Sequence, residues 1–348
     1  MHEVSERKKL AIVGCGAITR EHLKVSRMMD SMDLVALCDV DKDALARMSR
    51  EGGVARTYTD FSKMLETEDL SIVSILTPPQ FHAPMAVAAI EKGINVLLEK
   101  PLTITSGEAE LILKALQKTG VKLTVDYNAL FSQVMIKAMD LVRQAAIGEV
   151  LGMEVRMLQT KDDAMAVNQK HWCHKIPGGR FGEMLAHPVY LLQAILGDTL
   201  ESATVLAQKR GAYDWMRYDE LCVLLSGRKG IGRIYASFNA PRLTYQVDIF
   251  GTQKILSIDL LNQTLVILGY RTSSRTDSAK DCFDISRQLI FQTIKNTFFF
   301  LRRERGQDAL RRVYTSLLDG IDARRELVVS PDMAYHTVKI VEEICRAM

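Results

Sequence analysis

The feature that most constrains this chain is the stretch KLAIVGCGAITREH at residues 9–22: an apolar run, two glycines one residue apart, then the opening of a helix. Residues 10–13 read as a strand buried on both faces, because helices cover both sides of a parallel sheet and the alternation of polar residues disappears. Gly14 lets the backbone turn sharply, and Gly16 lacks the Cβ that would keep a pyrophosphate away from the first helical N–H groups. Those N–H groups, at Ala17 and Ile18, and the partial positive charge of a helix start hold phosphate oxygens. The third glycine of G-x-G-x-x-G is Thr19 here, so an ordinary strand-to-helix turn competes with a dinucleotide loop until context decides.

The context is a second apolar run, 34–38, ending in Asp39, 23 residues beyond Gly16. A dinucleotide fold puts there the acid that accepts from the adenosine ribose hydroxyls. The Asp39 charge repels a 2′-phosphate, and no Arg or Lys follows until Lys42, so NAD is expected over NADP.

From here the chain alternates strand and helix patterns as a right-handed parallel sheet requires. A helix from Gly16 to about 32 is followed by a helix at 41–51, a strand at 54–58, and a helix at 61–66 capped by Asp60. The strand 71–76 ends in Thr77-Pro78-Pro79, where the prolines forbid further pairing. A helix at 81–92, a strand at 94–98 ending in Glu99-Lys100-Pro101, a helix at 106–118 and a strand at 121–125 complete six parallel strands. Beyond Tyr127 come a helix near 131–145 and alternating runs at 149–159, 203–209, 219–226, 230–239, 243–250, 253–258 and 264–268. Turns such as Gly227-Arg-Lys-Gly230 predict hairpins. Helices return at 284–303, 307–323 and 332–347. The expected fold is α/β: an N-terminal Rossmann domain, 1–127, and an α+β domain with an open, mainly antiparallel sheet, 128–348.

With 348 residues, 47% hydrophobic and 25% charged, the chain has ample core for two domains. A net charge of +3, spread along the sequence, points to neither nucleic acid nor an anionic membrane as partner. Residues 1–9, MHEVSERKK, contain no apolar export segment and no span of 18 apolar residues follows, so a cytoplasmic protein is expected. The aromatic-basic stretch 298–305 reads as a helix end, not a membrane anchor. Six scattered cysteines form no C-x-x-C pair. His171, Cys173 and His174 lie close in sequence but lack a fourth ligand at workable spacing, so no metal is expected.

The segments GCGAITREH, CDVD, TPPQFHAPMAVAAIEKGINVLLEKPLT and PGGRFGEMLAHPVYLLQAILG, in this order over about residues 9–270, resemble the Gfo/Idh/MocA family, named for glucose-fructose oxidoreductase and inositol dehydrogenase. The resemblance implies oxidation or reduction of a sugar or polyol hydroxyl with NAD(P). It also implies a homo-oligomer, dimer or tetramer, through the second sheet. The family's catalytic lysine falls on Lys100, at a strand end where an open parallel sheet places its ligands and where an ammonium stabilises developing alkoxide charge. Thr77, Pro78 and His82 are the accompanying cofactor contacts, Glu99 braces the loop or contacts the cofactor, and Pro101 follows a cis peptide in relatives. The motif G-G-G-x-x-x-D-x-x-x-H falls on PGGRFGEMLAHP, which puts Glu183 at the aspartate and His187 at the histidine. An imidazole of ordinary pKa, about 6.5, exchanges a proton near neutrality.

Glu183 and His187 share a face if one helix carries both; if a helix starts near Leu185, Pro188 sits in its first turn and Glu183 precedes it in a loop. Arg180 is read either as a contact for an acidic or phosphorylated substrate or as a structural arginine. Asn128 and Trp172, with Tyr127, Lys161 and His171, are candidates for the substrate wall. Three functions compete: an NAD(P)-dependent oxidoreductase on a sugar, polyol or nucleotide sugar, a glycosidase using NAD for transient oxidation, and a silent NAD-binding regulatory module.

Overall fold

The computed structural model describes residues 7–197, 199–211, 213–301 and 305–348. Residues 1–6, on which the leader reading rests, and 302–304 of the aromatic-basic stretch lie outside the described residues. In chain order the N-terminal elements are β1 (Lys8–Val13), α1 (Thr19–Arg27), β2 (Met32–Cys38), α2 (Lys42–Gly52), β3 (Arg56–Tyr58), α3 (Phe61–Thr67), β4 (Ile72–Ile75), α4 (His82–Glu91), β5 (Asn95–Leu98), α5 (Ser106–Leu116) and β6 (Leu123–Val125). Then come α6 (Gln133–Arg143), β7 (Val150–Leu158), α7 (Ala164–Val167), α8 (Gly179–Met184), α9 (Ala186–Leu196), β8 (Leu200–Gln208), β9 (Glu220–Gly227), β10 (Gly230–Ser237), β11 (Thr244–Gly251), β12 (Ile255–Asp259), β13 (Thr264–Leu268), α10 (Arg275–Leu301), α11 (Arg305–Ile321) and α12 (Pro331–Ala347).

The chain divides into two compact units, Met1–Asn128 with Gly306–Val338, and Ala129–Arg305 with Lys339–Met348. This differs from a single cut at 127/128: the segment Gly306–Val338 returns to the first unit, where α11 buries Leu310, Val313, Tyr314 and Leu317. An amphipathic stripe shows in sequence that a helix covers something, not which sheet it covers.

In the first unit the sheet order is β3-β2-β1-β4-β5-β6, parallel throughout. The order reverses between β1 and β4, and ligands of such sheets bind beyond the carboxyl ends of the strands at that point. Every residue of β4 and of β6 is buried, Ser74 and Thr124 included, which is why neither strand shows exposed polar alternation. Local chemistry fixes the helix starts: Asp41 accepts from the N–H groups of Asp43 and Ala44, Asp60 from that of Lys63, and Thr105 with Glu108 forms a capping box. Helix α1 stops at Arg27, short of the expected 32, because Met32 already begins β2.

The second unit carries the sheet β13-β12-β11-β7-β10-β9-β8, antiparallel except for the β7–β10 pair. Helix α10 begins at Arg275, well before the expected 284, and lies against the sheet edge at β13. Among the described residues no helix is long and apolar enough to cross a membrane.

Candidate functional site

Three turns stand at the carboxyl ends of β1, β4 and β5, neighbours across the order reversal. Gly14, between β1 and α1, has φ +95°, and a Cβ there would stand 2.8 Å from the Leu76 carbonyl. Only glycine permits both the conformation and the approach. Gly16 differs: no heavy atom lies within 4 Å of where its Cβ would be. Thr19 occupies the third glycine position without spoiling the loop, since its buried hydroxyl donates to the Gly14 carbonyl at 2.7 Å. That tie was not legible from the motif, which presents Thr19 as a defect.

Asp39, at the end of β2, accepts from the Cys15 N–H through one oxygen and from the Asp41 N–H at 2.8 Å through the other. It thereby braces the glycine loop, and a carboxylate has about four lone-pair sites, so capacity for hydroxyl donors remains.

Thr77 and Pro78 follow β4 and are half-buried, as are Glu99 and Lys100 after β5; the Lys100–Pro101 peptide is cis. His82 has a different role from the expected cofactor contact. It is fully buried, with Nε2 2.7 Å from the Thr77 carbonyl and Nδ1 2.9 Å from the Pro101 carbonyl; a neutral ring donates to one of these carbonyls while it packs between both turns. Burial lowers its pKa, partly offset by those backbone contacts. Asn128 opens a short 3-10 turn, Asn128–Phe131. Tyr127 is fully buried and bonds to Thr337, which makes it a core residue and not part of a substrate wall.

In the second unit, α8 and α9 meet at Leu185, whose backbone stays right-handed helical at φ −62° and ψ −22°. Pro188 has no N–H to donate to the Met184 carbonyl, so one rung is lost while the helical path continues. Neither expectation is met in full: Glu183 belongs to α8, not to a loop, and His187 belongs to α9.

Arg180 is buried at 7% exposure and ion-paired with Glu183, while its Nε and Nη2 meet the two Asp163 oxygens at 3.0 and 3.2 Å. Burial works against the guanidinium charge and the two carboxylates outweigh it, keeping its pKa above the ordinary value. These contacts to Asp163 and Glu183 engage Nε and both Nη atoms, which gives Arg180 a structural role. Asp163 was missed in the sequence. Its role as cap of α7, accepting from the Ala166 N–H at 2.8 Å, is local, but its pairing with Arg180 spans 17 residues.

His187 is half-buried, with Nδ1 2.9 Å from the Tyr190 hydroxyl, a contact that orients the ring. Trp172 is half-buried in the 3-10 turn Trp172–Lys175 and packs on His171 at 5.3 Å between centroids. His171 Nδ1 accepts from the Cys173 N–H, and His174 Nε2 lies 2.9 Å from the Met165 carbonyl, so this cluster folds a loop.

The first unit fits a dinucleotide by its own geometry: open space over Gly16, a helix start at Ile18 with no side-chain cap, and an acid at the end of β2. The comparisons agree. Residues 8–127 match the oxidoreductase family model described as an NAD-binding Rossmann fold, and residues 135–257 match the GFO/IDH/MocA C-terminal domain. The chain belongs to the Gfo/Idh/MocA family.

Within and around this family, D-apiose dehydrogenase of Paraburkholderia graminis is 32% identical over 143 residues, 41% of this chain and 38% of that protein, well under two thirds of its length. Myo-inositol 2-dehydrogenase of Thermotoga maritima is 23% identical over 75% of this chain and 78% of its own. The WlbA dehydrogenase of Bordetella pertussis, solved in complex with NADH and UDP-GlcNAcA, superposes with a TM-score of 0.80 at 18% identity, covering 98% of this chain and 95% of its own. The last likeness concerns the fold. Residues 8–127 are therefore an NAD-binding domain, with Gly14, Gly16, Ala17, Ile18 and Asp39 as the residues suited to hold the dinucleotide.

Proposed function

We infer that this chain is an NAD-dependent dehydrogenase acting on a hydroxyl of a sugar, polyol or nucleotide sugar. The observation that carries the reading is the shared sheet edge: the Gly14 loop, the Thr77-Pro78 turn and the Glu99-Lys100-Pro101 turn end adjacent strands β1, β4 and β5. The dehydrogenase names of the relatives support the same class of reaction. Bound NAD supplies a hydride acceptor. In the first unit Lys100 is the group suited to stabilise negative charge on a substrate oxygen, and in the second unit His187, oriented by Tyr190, is the group suited to accept a proton. Glu183 holds its place through Arg180 and acts in support of the helix that carries His187. Asp39 favours NAD over NADP by repelling a 2′-phosphate.

A homo-oligomer fits this reading. Leu206, Leu224 and Ile231 are exposed on one face of adjacent strands β8, β9 and β10, an apolar stripe suited to a second copy. The test is NADH formation across a panel of polyols, aldoses and nucleotide sugars, with the wild type and Lys100→Ala side by side. Net reduction of NAD by one class, lost in the variant, supports the reading. Glycoside cleavage without net reduction, or binding of NAD with no turnover on any of the panel, overturns it.

A further inference from the structure

Behind the Glu99-Lys100-Pro101 turn, within the first unit, several elements bring ionisable side chains to one buried point. His22 on α1, Glu99 after β5 and Asp126 after β6 present a ring nitrogen and two carboxylate oxygens that lie within 4.8 Å of one another. His22 is 0% and Asp126 1% exposed, with Nε2 of the histidine 3.9 Å from Oδ2 of the aspartate. On the other side of the ring, His22 Nδ1 is 2.8 Å from the Tyr314 hydroxyl of α11, which is itself 2.8 Å from Ser74 Oγ on β4. Such a chain fixes the ring so that Nε2 faces the carboxylates. Neither His22 Nε2 nor Asp126 Oδ1 has a hydrogen-bond partner among the described residues.

Groups placed this way differ from an ordinary ion pair. Two carboxyl groups that hydrogen-bond each other need a proton between them, and a buried acceptor left without one is costly. Burial pushes the Asp126 pKa up to about 7, against the pull of the Lys100 charge, the bond with Glu99 and the bond with the Asn128 backbone. Burial also keeps His22 neutral, with its pKa lowered to about 3. The titratable groups facing Asp126 are thus Glu99 and Lys100 from the β5 turn, His22 from α1 and Tyr314 from α11.

We propose that Asp126 is a positioning residue for Lys100: a buried carboxyl that binds one proton with Glu99 and thereby sets the charge of the turn facing the cofactor. The proposal rests on the dehydrogenase reading, in which Glu99 and Lys100 contact the cofactor. With the proton bound, the Lys100 ammonium is balanced by a single negative charge; when the proton leaves to solvent, one negative charge remains in excess. Oxidised cofactor carries a positive ring and reduced cofactor a neutral one. Rising pH therefore favours NAD⁺ over NADH at this site, and binding of NAD⁺ near neutrality releases a proton.

The test uses the full chain and measures dissociation constants of NADH, by its fluorescence, and of NAD⁺, by competition, from about pH 5.5 to about pH 8.5, to either side of the Asp126 midpoint. In the wild type the affinity ratio of NAD⁺ to NADH rises about tenfold across that span, the scale of a nearby unit charge at the effective dielectric of a protein site. In Asp126→Asn and in Glu99→Gln the ratio stays flat. Calorimetry on the wild type alone, in two buffers of different protonation heat, gives a fraction of a proton released on binding NAD⁺ near neutrality. The same slope in wild type and variants, or no proton release, overturns the proposal and leaves the dehydrogenase reading standing. Failure of the wild type to bind either dinucleotide overturns that reading and the proposal with it. Thermal stabilisation of the wild type by Zn²⁺ or Mn²⁺ alone, lost in Asp126→Asn, makes the cluster a cation site and likewise overturns the proposal.

Discussion

Gly14 and Gly16 have different duties although one residue separates them. Gly14 sits at positive φ with the Leu76 carbonyl against it, so Gly14→Val strains the backbone and clashes at once, a loss of about 2–4 kcal/mol or failure to fold. Gly16 faces open space, so Gly16→Val melts like the wild type yet loses at least about tenfold in NAD affinity, read by NADH fluorescence. Equal effects of the two changes on melting would contradict this division. Lys100→Ala and His187→Ala each lower turnover by about two to four orders of magnitude while cofactor affinity changes little, as steady-state kinetics and binding titrations will show. The positions of Gly14, Gly16, Asp39 and Lys100 just after β1, β2 and β5 were legible because an apolar run announces each strand end. Arg180 was not: its partner Asp163 is 17 residues away, and nothing in the local sequence announces an ion pair across that distance.

At the scale of elements, α10 shows how a helix closes a sheet edge. Gln288 bonds both the N–H and the carbonyl of Ile267, at 2.9 and 3.0 Å, and Gln292 does the same for Leu265, at 2.6 and 2.8 Å. Asn296 continues the ladder onto the carbonyls of Asn262 and Gln263. Residues four apart rise about 6 Å along a helix and residues two apart about 6.8 Å along a strand, so amides at that spacing track the strand's own bonding groups. An unpaired edge strand invites pairing with other chains. The double change Gln288→Ala with Gln292→Ala costs about 1–3 kcal/mol and speeds hydrogen exchange at the Leu265 and Ile267 amides; unchanged protection there would contradict the ladder. The strands themselves were legible from apolar runs and turn residues. The first turns of α10, RTDSAKDC, have no apolar periodicity, which is why the helix was expected to begin too late.

For the whole molecule, the burial of His22 and Asp126 makes pH dependence a signature of the first unit. His22 has its folded pKa lowered, so it removes stability as pH falls from about 6.5 towards about 3. Asp126 has its folded pKa raised, so its contribution is present in full below its unfolded value, about 3.8, and is lost as pH rises towards about 7. Between about pH 4 and 6.5 the two slopes oppose each other. Asp126→Asn removes one of them, and urea denaturation then shows stability falling by about 1.4 kcal/mol more per pH unit on acidification than in the wild type. A parallel pH profile in the two proteins would contradict the raised pKa of Asp126. The fold class was legible in outline, but the return of Gly306–Val338 to the first unit was not, because an amphipathic helix does not name the surface it covers.

In the proposed dehydrogenase the turns ending β1, β4 and β5 form one dinucleotide site with Lys100 at its reactive end. A crystal structure of the full chain with NAD bound tests it most directly. Pyrophosphate is expected on the Gly14 to Ile18 loop, the adenosine ribose on Asp39, and the Lys100 amine within about 4 Å of the reacting centre beside the nicotinamide. A dinucleotide bound elsewhere, or a Lys100 amine turned away from the nicotinamide, would contradict it.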